Sequence, residues 1–304
     1  MSGYQPLDLS ALAVPPAIAA PAFAAILSAR LSAFLTYYQA AQAADASLPD
    51  IDAQTLALVT DPANIHQRVD AFRETLLVQS INDAQLNTFL AWAEGPALDA
   101  IAAFVNVIRA AGELDPSLRR RTQLSWEALA IGGTYGRYLS QALGADPVGL
   151  ADVAVYGHEQ TPVPKGEVWI VLLGSNASGI PPAATIAAVT RAVAARGVRP
   201  VNDNVKVLTP NLDYYSIDAT LILQPGADAA AVVQAQKAAL MKFCAARRRL
   251  GALVTPNNIA SVAGYNDAGL IDDVVVRQPA SSIAGDAFAV PMLTGVRLVS
   301  QVAS

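Results

Sequence analysis

Residues 196–207 read RGVRPVNDNVKV, and how this stretch is read decides the fold of the second half of the chain. Before it, residues 182–195 are rich in alanine and carry apolar residues at helical spacing. After it, Val205 and Val207 alternate with polar neighbours, as on a strand with one face covered. Gly197 stands where the helix should end, at a position where a glycine can take positive φ. Pro200 forbids continuation, and Asn202-Asp203 supply the side chains of a turn. The stretch is therefore a helix-to-strand corner, and nothing in it requires a ligand.

Working outward, GLADVAVYG (149–157) and GEVWIVLLG (166–174) have the period and β-branched content of strands. With the helix over 182–195 and the strand over 204–208 they make one strand-helix-strand unit. A second unit follows, with a strand over 214–223, a helix over 228–249 closed by Gly251, a short helix opened by Thr255-Pro256, and a returning strand over 270–276. The fold class expected is α+β. Its organisation is an extended arm over 1–21, a helical region over 22–116, a middle α+β domain over 117–210, and a C-terminal α+β domain with a tail over 211–304.

The helical region rests on two amphipathic patterns. Phe23, Ile26, Leu27, Leu31, Phe34, Leu35 and Tyr38 recur at spacings of three and four, which gathers them on one helix face that must bury against something. After Asp61-Pro62, a helix-start signal, Ile65, Val69, Phe72, Leu76 and Leu77 should form the inner face of a second helix. Helical signal runs on to Trp92, breaks at Gly95-Pro96 and resumes over 98–109. A further helix spans 117–130, and a glycine break at Gly132-Gly133 leads to a short helix over 134–143.

Composition narrows the function. The chain has 304 residues, 53% of them hydrophobic and 15% charged, with a formal charge of −5. No basic face suited to nucleic acid stands out. The longest uncharged stretch, residues 10–29, carries Pro15, Pro16 and Pro21, which break the ladder a spanning helix needs, and no basic leader precedes it; membrane insertion is not expected. The single Cys244 rules out an internal disulfide and reads as a small core residue. His66 and His158 are the two histidines, and no HExxH, CxxC or EF-hand pattern is present, so no catalytic, cofactor or metal site is expected. An enzyme using His158, Glu159 and Asp152 near a strand end is the remote alternative. The triplets Arg119-Arg120-Arg121 and Arg247-Arg248-Arg249 read as solvated faces.

Several stretches together resemble the baseplate J-like family, the wedge proteins of contractile phage tails. RPVNDNVKV carries Arg199, Pro200 and Asp203 in that family's corner pattern. INDAQLNTFLAWAEGPALDAIAAFVNVIR carries Gly95, Leu98 and Asp99 in its helical segment. LRRRTQLSWEALAIGGTYGRYLSQALGADPVGLADVAVYG carries Gly133 and Tyr138 after its Arg-rich helix, and ARRRLGALVTPNNIASVAGYNDAGLIDDVVV carries Gly251 in its late turn. The acidic residue that precedes the Arg-rich helix is represented by Glu113 or Asp115, and the usual glycine-valine before the closing strand is Gly269-Leu270.

The resemblance implies a structural role without catalysis. Copies of the chain would assemble with one another and with a smaller tail protein through an N-terminal helical bundle, burying the Phe23 to Tyr38 stripe. The C-terminal domains would join neighbours into a ring around the hub and spike, beside sheath-initiator-like proteins, and the ring would rearrange to trigger sheath contraction. The location implied is the tail baseplate of a virion assembled in the host cytoplasm, or the same position in a phage-derived bacteriocin or other contractile injection system.

Overall fold

The computed structural model describes residues 7–15, 22–130, 132–265, 269–283 and 285–302. Most of the N-terminal arm therefore lies outside the described residues; within it, Leu9–Ala11 form one 3-10 turn. The chain divides into two compact units, one of residues 8–101 and one holding everything from Ala102 onward. Helix and strand are both present in the mixture of an α+β protein, as the sequence predicts.

The first unit is a helical hairpin. Helix α1 (Phe23–Ala44) packs on α3 (Pro62–Leu86), with the single turn α2 (Ala53–Leu56) between them. Asp61 starts α3 by accepting from the N–H groups of Ala63 and Asn64, and Pro62 takes the first-turn position that needs no donor. Arg30 of α1 joins the two helices, donating to Gln67 at 3.2 Å, to Asp70 at 2.9 Å and to Glu74 at 3.0 Å. Helix α3 stops at Leu86 rather than running to Trp92, and α4 (Gly95–Phe104) begins at the glycine read as a break. It ends well before Arg109, where Asn106 turns the chain at φ +60°.

The second unit begins with α5 (Asp115–Gln123), which tightens into a 3-10 turn over Leu124–Leu129 instead of continuing as α-helix. Helix α6 (Tyr135–Ala145) follows, capped by Thr134, which accepts from the Arg137 N–H. Strands β1 (Leu150–Tyr156) and β2 (Glu167–Gly174) pair antiparallel, and after α7 (Ala183–Val193) strand β3 (Asn204–Leu208) pairs parallel to β2. The second sheet has β4 (Asn211–Leu223) at its centre, with β5 (Ile271–Gln278) antiparallel on one side and β6 (Ala289–Val302) parallel on the other. Helices α8 (Ala229–Arg247) and α9 (Pro256–Gly264) join β4 to β5.

The stretch read as a tail is thus the longest strand of the protein's second sheet. Pro291 and Gly295 disguise it: proline is tolerated because β6 lies at a sheet edge, and a register shift opposite Tyr215 and Ser216 absorbs the irregularity. Gly197 is corrected too. It does not adopt positive φ, because α7 already ends at Val193 and a looser turn intervenes.

The two sheets do not stand apart. One core forms among α6, α7, β1 and β2, around Tyr138, Leu139, Val153, Ile170 and Val189. A second lies under α8 and α9, around Ile217, Leu221, Leu240 and Ile259. A third is shared, with Tyr156, Val171 and Leu173 of the first sheet packing on Val290 and Met292 of the second, and Phe288 set against both Tyr156 and Trp169. Polar ties cross the same seam. The Tyr156 hydroxyl donates to the Ala287 carbonyl, and Asp152 of β1 accepts from the Leu250 N–H at 3.1 Å while holding Arg120 at 2.9 Å.

Cys244 is a buried core residue whose thiol burial pushes up, so it is inert in the native state. Burial likewise pushes the hydroxyls of Tyr138, Tyr156 and Tyr215 far above the ordinary tyrosine value, with Asp203, Asp152 and Cys244 adding to the shift in turn.

Two outcomes follow from this packing. Asp152→Ala leaves a partly buried guanidinium and a backbone N–H without their acceptor, and should cost about 2–4 kcal/mol in urea unfolding. In an alkaline titration followed by phenolate absorbance, these three tyrosines should stay protonated while the protein is folded. Unfolded tyrosines release their protons near pH 10 and the folded ones do not, so stability present below that pH should fall as pH rises above it.

Candidate functional site

The corner at 196–203 is a clamp. The Tyr138 hydroxyl, carried inward by α6, donates to Asp203 Oδ2 at 2.8 Å. Arg199 closes the turn from the other side by donating to the Asp203 carbonyl at 2.8 Å, and Arg137 reaches the Gly197 carbonyl at 2.6 Å and the Ala130 carbonyl. Gly133 lies so close beneath that a Cβ there would stand 2.5 Å from Asp203 Oδ2 and 2.8 Å from the Pro200 ring. Five residues singled out from two distant stretches, Gly133, Tyr138, Arg199, Pro200 and Asp203, therefore meet at one point. These hydrogen bonds hold α6 to the turn before β3, so the arrangement positions structure.

A second polar knot lies where α5 begins. The Glu113 side chain is fully buried and accepts from Arg121 at 2.6 Å, the Ala110 N–H at 2.9 Å and the Ser117 hydroxyl at 2.9 Å. Asp115 pairs with Arg109 at 2.7 Å. Both acidic residues offered by the sequence are thus engaged. The reading of Arg119 to Arg121 as a solvated face is corrected, since Arg120 and Arg121 are held by Asp152 and Glu113. A groove of about 430 Å³ opens beside this knot, lined by Leu114, Pro116, Leu143, Val148 and Leu150. Its charged neighbours Glu113, Arg120 and Arg121 are already paired.

The helical hairpin presents a different surface. The stripe of α1 is half-buried along its whole length, from Phe23, Ile26 and Leu27 through Leu31, Phe34, Leu35 and Tyr38, and α1 holds no fully buried residue. Leu31 and Leu35 face Leu56, and Phe34 stacks on Tyr38 with ring centroids 5.9 Å apart. Helix α3 is oriented opposite to expectation. Asn64 and Ala71 are its buried residues, and Gln67, Asp70 and Glu74 meet Arg30. Ile65, Val69, Phe72, Leu76 and Leu77, expected on the inner face, are all exposed, Phe72 at 57%. Four of them, Ile65, Val69, Phe72 and Leu76, recur at spacings of 4, 3 and 4 and so share one side of the helix. The spacing was legible, but the side was not: an arginine on α1 pairs with the polar face, which no periodicity reveals.

In the second unit the exposed large apolar residues concentrate in residues 104–129, at Phe104, Ile108, Leu114, Trp126 and Leu129. The other residues marked in the sequence are accounted for locally. Gly95 opens α4 at φ +51°, Leu98 is fully buried, and Asp99 is half-buried with an interaction of its own. Gly251 takes φ +67°, where its N–H donates to the Ala289 carbonyl at 3.0 Å, closing the turn after α8. His158 and Glu159 are exposed, the Glu159 carboxylate is held by the Tyr135 hydroxyl, and both Asp152 oxygens are committed elsewhere, so the three do not form a catalytic set. Among the described residues no cluster of potential metal ligands gathers, and no helix is long and apolar enough to cross a membrane.

The glycine inside the clamp and one in the last turn of α6 should respond in opposite ways. Gly133→Ala forces its Cβ against the rigid Pro200 ring and should lower stability by about 1–3 kcal/mol in thermal unfolding. Gly144→Ala, within α6 and with open space around the added methyl, should raise stability by up to about 1 kcal/mol.

A family model described as the baseplate J-like N-terminal domain matches residues 60–112, which span α3 and α4. A model for the baseplate J-like central domain matches residues 130–209, which run from just before the clamp through β3. Baseplate protein J of Escherichia phage P2 is 30% identical over 260 residues, covering 81% of this chain and 82% of that protein. The chain therefore belongs to the baseplate J-like family of phage-tail structural proteins.

Proposed function

We propose that this chain is a wedge subunit of a contractile-tail baseplate, built into the assembly by its helical hairpin. The observation that carries the reading is the orientation of α3, which turns its polar face to α1 and leaves Ile65, Val69, Phe72 and Leu76 outward. A hairpin of two helices with almost no buried side chains holds little stability by itself, and an apolar stripe at coiled-coil spacing is completed by further helices. Those helices come from neighbouring copies and from a smaller tail protein. The partly covered α1 stripe, Phe23 to Tyr38, forms the adjoining side of the same bundle.

The unit from Ala102 onward then makes the contacts with other subunits around the hub and spike, near the sheath-initiator-like proteins. Sheath contraction is triggered when these interfaces exchange one packing for another. The location is the virion tail baseplate, after assembly in the host cytoplasm. The alternative reading is the equivalent baseplate subunit of a phage-derived bacteriocin or other contractile injection system, built in through the same hairpin. We assign the chain no catalytic role, in keeping with the structural family to which it belongs.

Co-expression with the flanking tail genes, followed by size-exclusion chromatography with light scattering, tests the proposal. The unmodified chain should elute with a smaller helical partner in a complex holding more than one copy. Val69→Asp with Phe72→Asp should abolish that complex while leaving the thermal midpoint nearly unchanged, since both side chains are already exposed. Leu31→Asp with Phe34→Asp should abolish it and also loosen the hairpin. A monomer indifferent to every tail partner, or a Val69→Asp, Phe72→Asp chain that still co-elutes, would contradict the placement.

A further inference from the structure

Helix α3 sorts its charges by side. Asp70 and Glu74 turn inward, where Arg30 of α1 donates to them at 2.9 Å and 3.0 Å, and His66 Nδ1 stands 3.4 Å from the same Asp70 carboxylate. The outward stripe has the alternating spacing of a coiled-coil seam, with Val69 and Leu76 as one row and Ile65 and Phe72 as the other. In that frame His66, Arg73 and Ser80 border the seam along one flank, and Arg68, Thr75 and Asn82 along the other. No acidic residue stands on either flank. Among the described residues neither Arg68 nor Arg73 has a carboxylate partner, since the nearby acids are held by Arg30. The next seam positions are polar, Gln79 and then Asp83.

We propose that the α3 seam takes a helix with acidic flanks from a different chain and refuses a second α3. The inference rests on the assembly role proposed for the hairpin and names the partner of one of its faces. Charges bordering a coiled-coil seam choose its partner, because like charges across the seam oppose pairing and opposite charges favour it. An in-register parallel pair of α3 helices sets Arg68 of each against Arg73 of the other, and Asp83 against its own image within the seam. An antiparallel pair sets each flank against the same flank, so Arg73 meets Arg73 or His66, and Arg68 meets Arg68 or Thr75. Neither arrangement gives either arginine an acid. A helix with Glu or Asp along both borders of its own apolar seam answers both. Of the helices that complete the bundle, those of the smaller tail protein therefore belong on this face. An anionic lipid surface suits it less, because Asp83 lies on the stripe itself and would be repelled.

Fluorescence anisotropy with the full-length chain tests this. The probes are two labelled helical peptides that share one leucine seam and carry either glutamate or lysine along its borders, and a third that copies residues 60–88 of this chain. At low salt the glutamate peptide should bind about tenfold more tightly than either of the others, and the margin should shrink as salt rises. Arg68→Glu with Arg73→Glu should reverse the order of the glutamate and lysine peptides. Arg68 also lines the groove beside Phe23 and Leu27 of α1, so Arg73→Glu alone should give part of the same reversal. Val69→Asp with Phe72→Asp should remove binding of the glutamate peptide. Equal or absent binding of the three peptides, or an order untouched by charge reversal, would overturn the charge selection and leave the hairpin's assembly role standing. Undiminished binding to the Val69→Asp, Phe72→Asp chain would overturn both. Tighter binding of the 60–88 peptide would replace the acidic partner with a second copy. Capture of the chain by phosphatidylglycerol vesicles, lost in the Val69→Asp, Phe72→Asp chain, would replace it with a lipid surface.

Discussion

One carboxylate does much to make the larger part of this protein a single body. Asp152 leaves β1 at the seam of the two sheets, and it accepts from Arg120 of α5 on one side and from the Leu250 backbone on the other. A helix before the first sheet, the first sheet itself and the turn after α8 are thereby fixed to one side chain. The apolar seam around Tyr156, Phe288, Val290 and Met292 closes over the same place. Burying a carboxylate is expensive unless its lone pairs are met, and here both oxygens have donors. The result is a shared core where two small three-stranded sheets would each have been marginal alone.

The helical hairpin follows the opposite logic. Its helices meet through an arginine and polar partners, and its larger apolar side chains stay outside or half-covered. Polar seams specify register better than they stabilise, which suits the proposed role of the hairpin as an element completed by other chains.

Much of this was legible in the residues, and the failures have physical causes. The strand β3 was placed without error because Pro200 and the Asn-Asp pair leave the chain few choices at the corner. The strand β6 was missed because a proline and a glycine interrupt its alternation, and tolerance of proline depends on lying at a sheet edge, a tertiary fact. The side of α3 that faces α1 was misread because amphipathic spacing says that two faces differ but not which one a polar neighbour will claim. The clamp was legible only as scattered motif positions. That Gly133, Tyr138 and Asp203 converge needed the fold, and so did the pairing of Arg120 and Arg121 with buried carboxylates.

Stability should be divided unequally, with the hairpin dependent on assembly and the unit from Ala102 onward independent of it. Hydrogen exchange on the dilute chain alone measures this most directly. Amides of α1 and α3 should exchange orders of magnitude faster than those of β2, β4 and α6, and should become protected when tail partners are present. Protection of α1 and α3 equal to that of β2 and β4 in the isolated chain would contradict it.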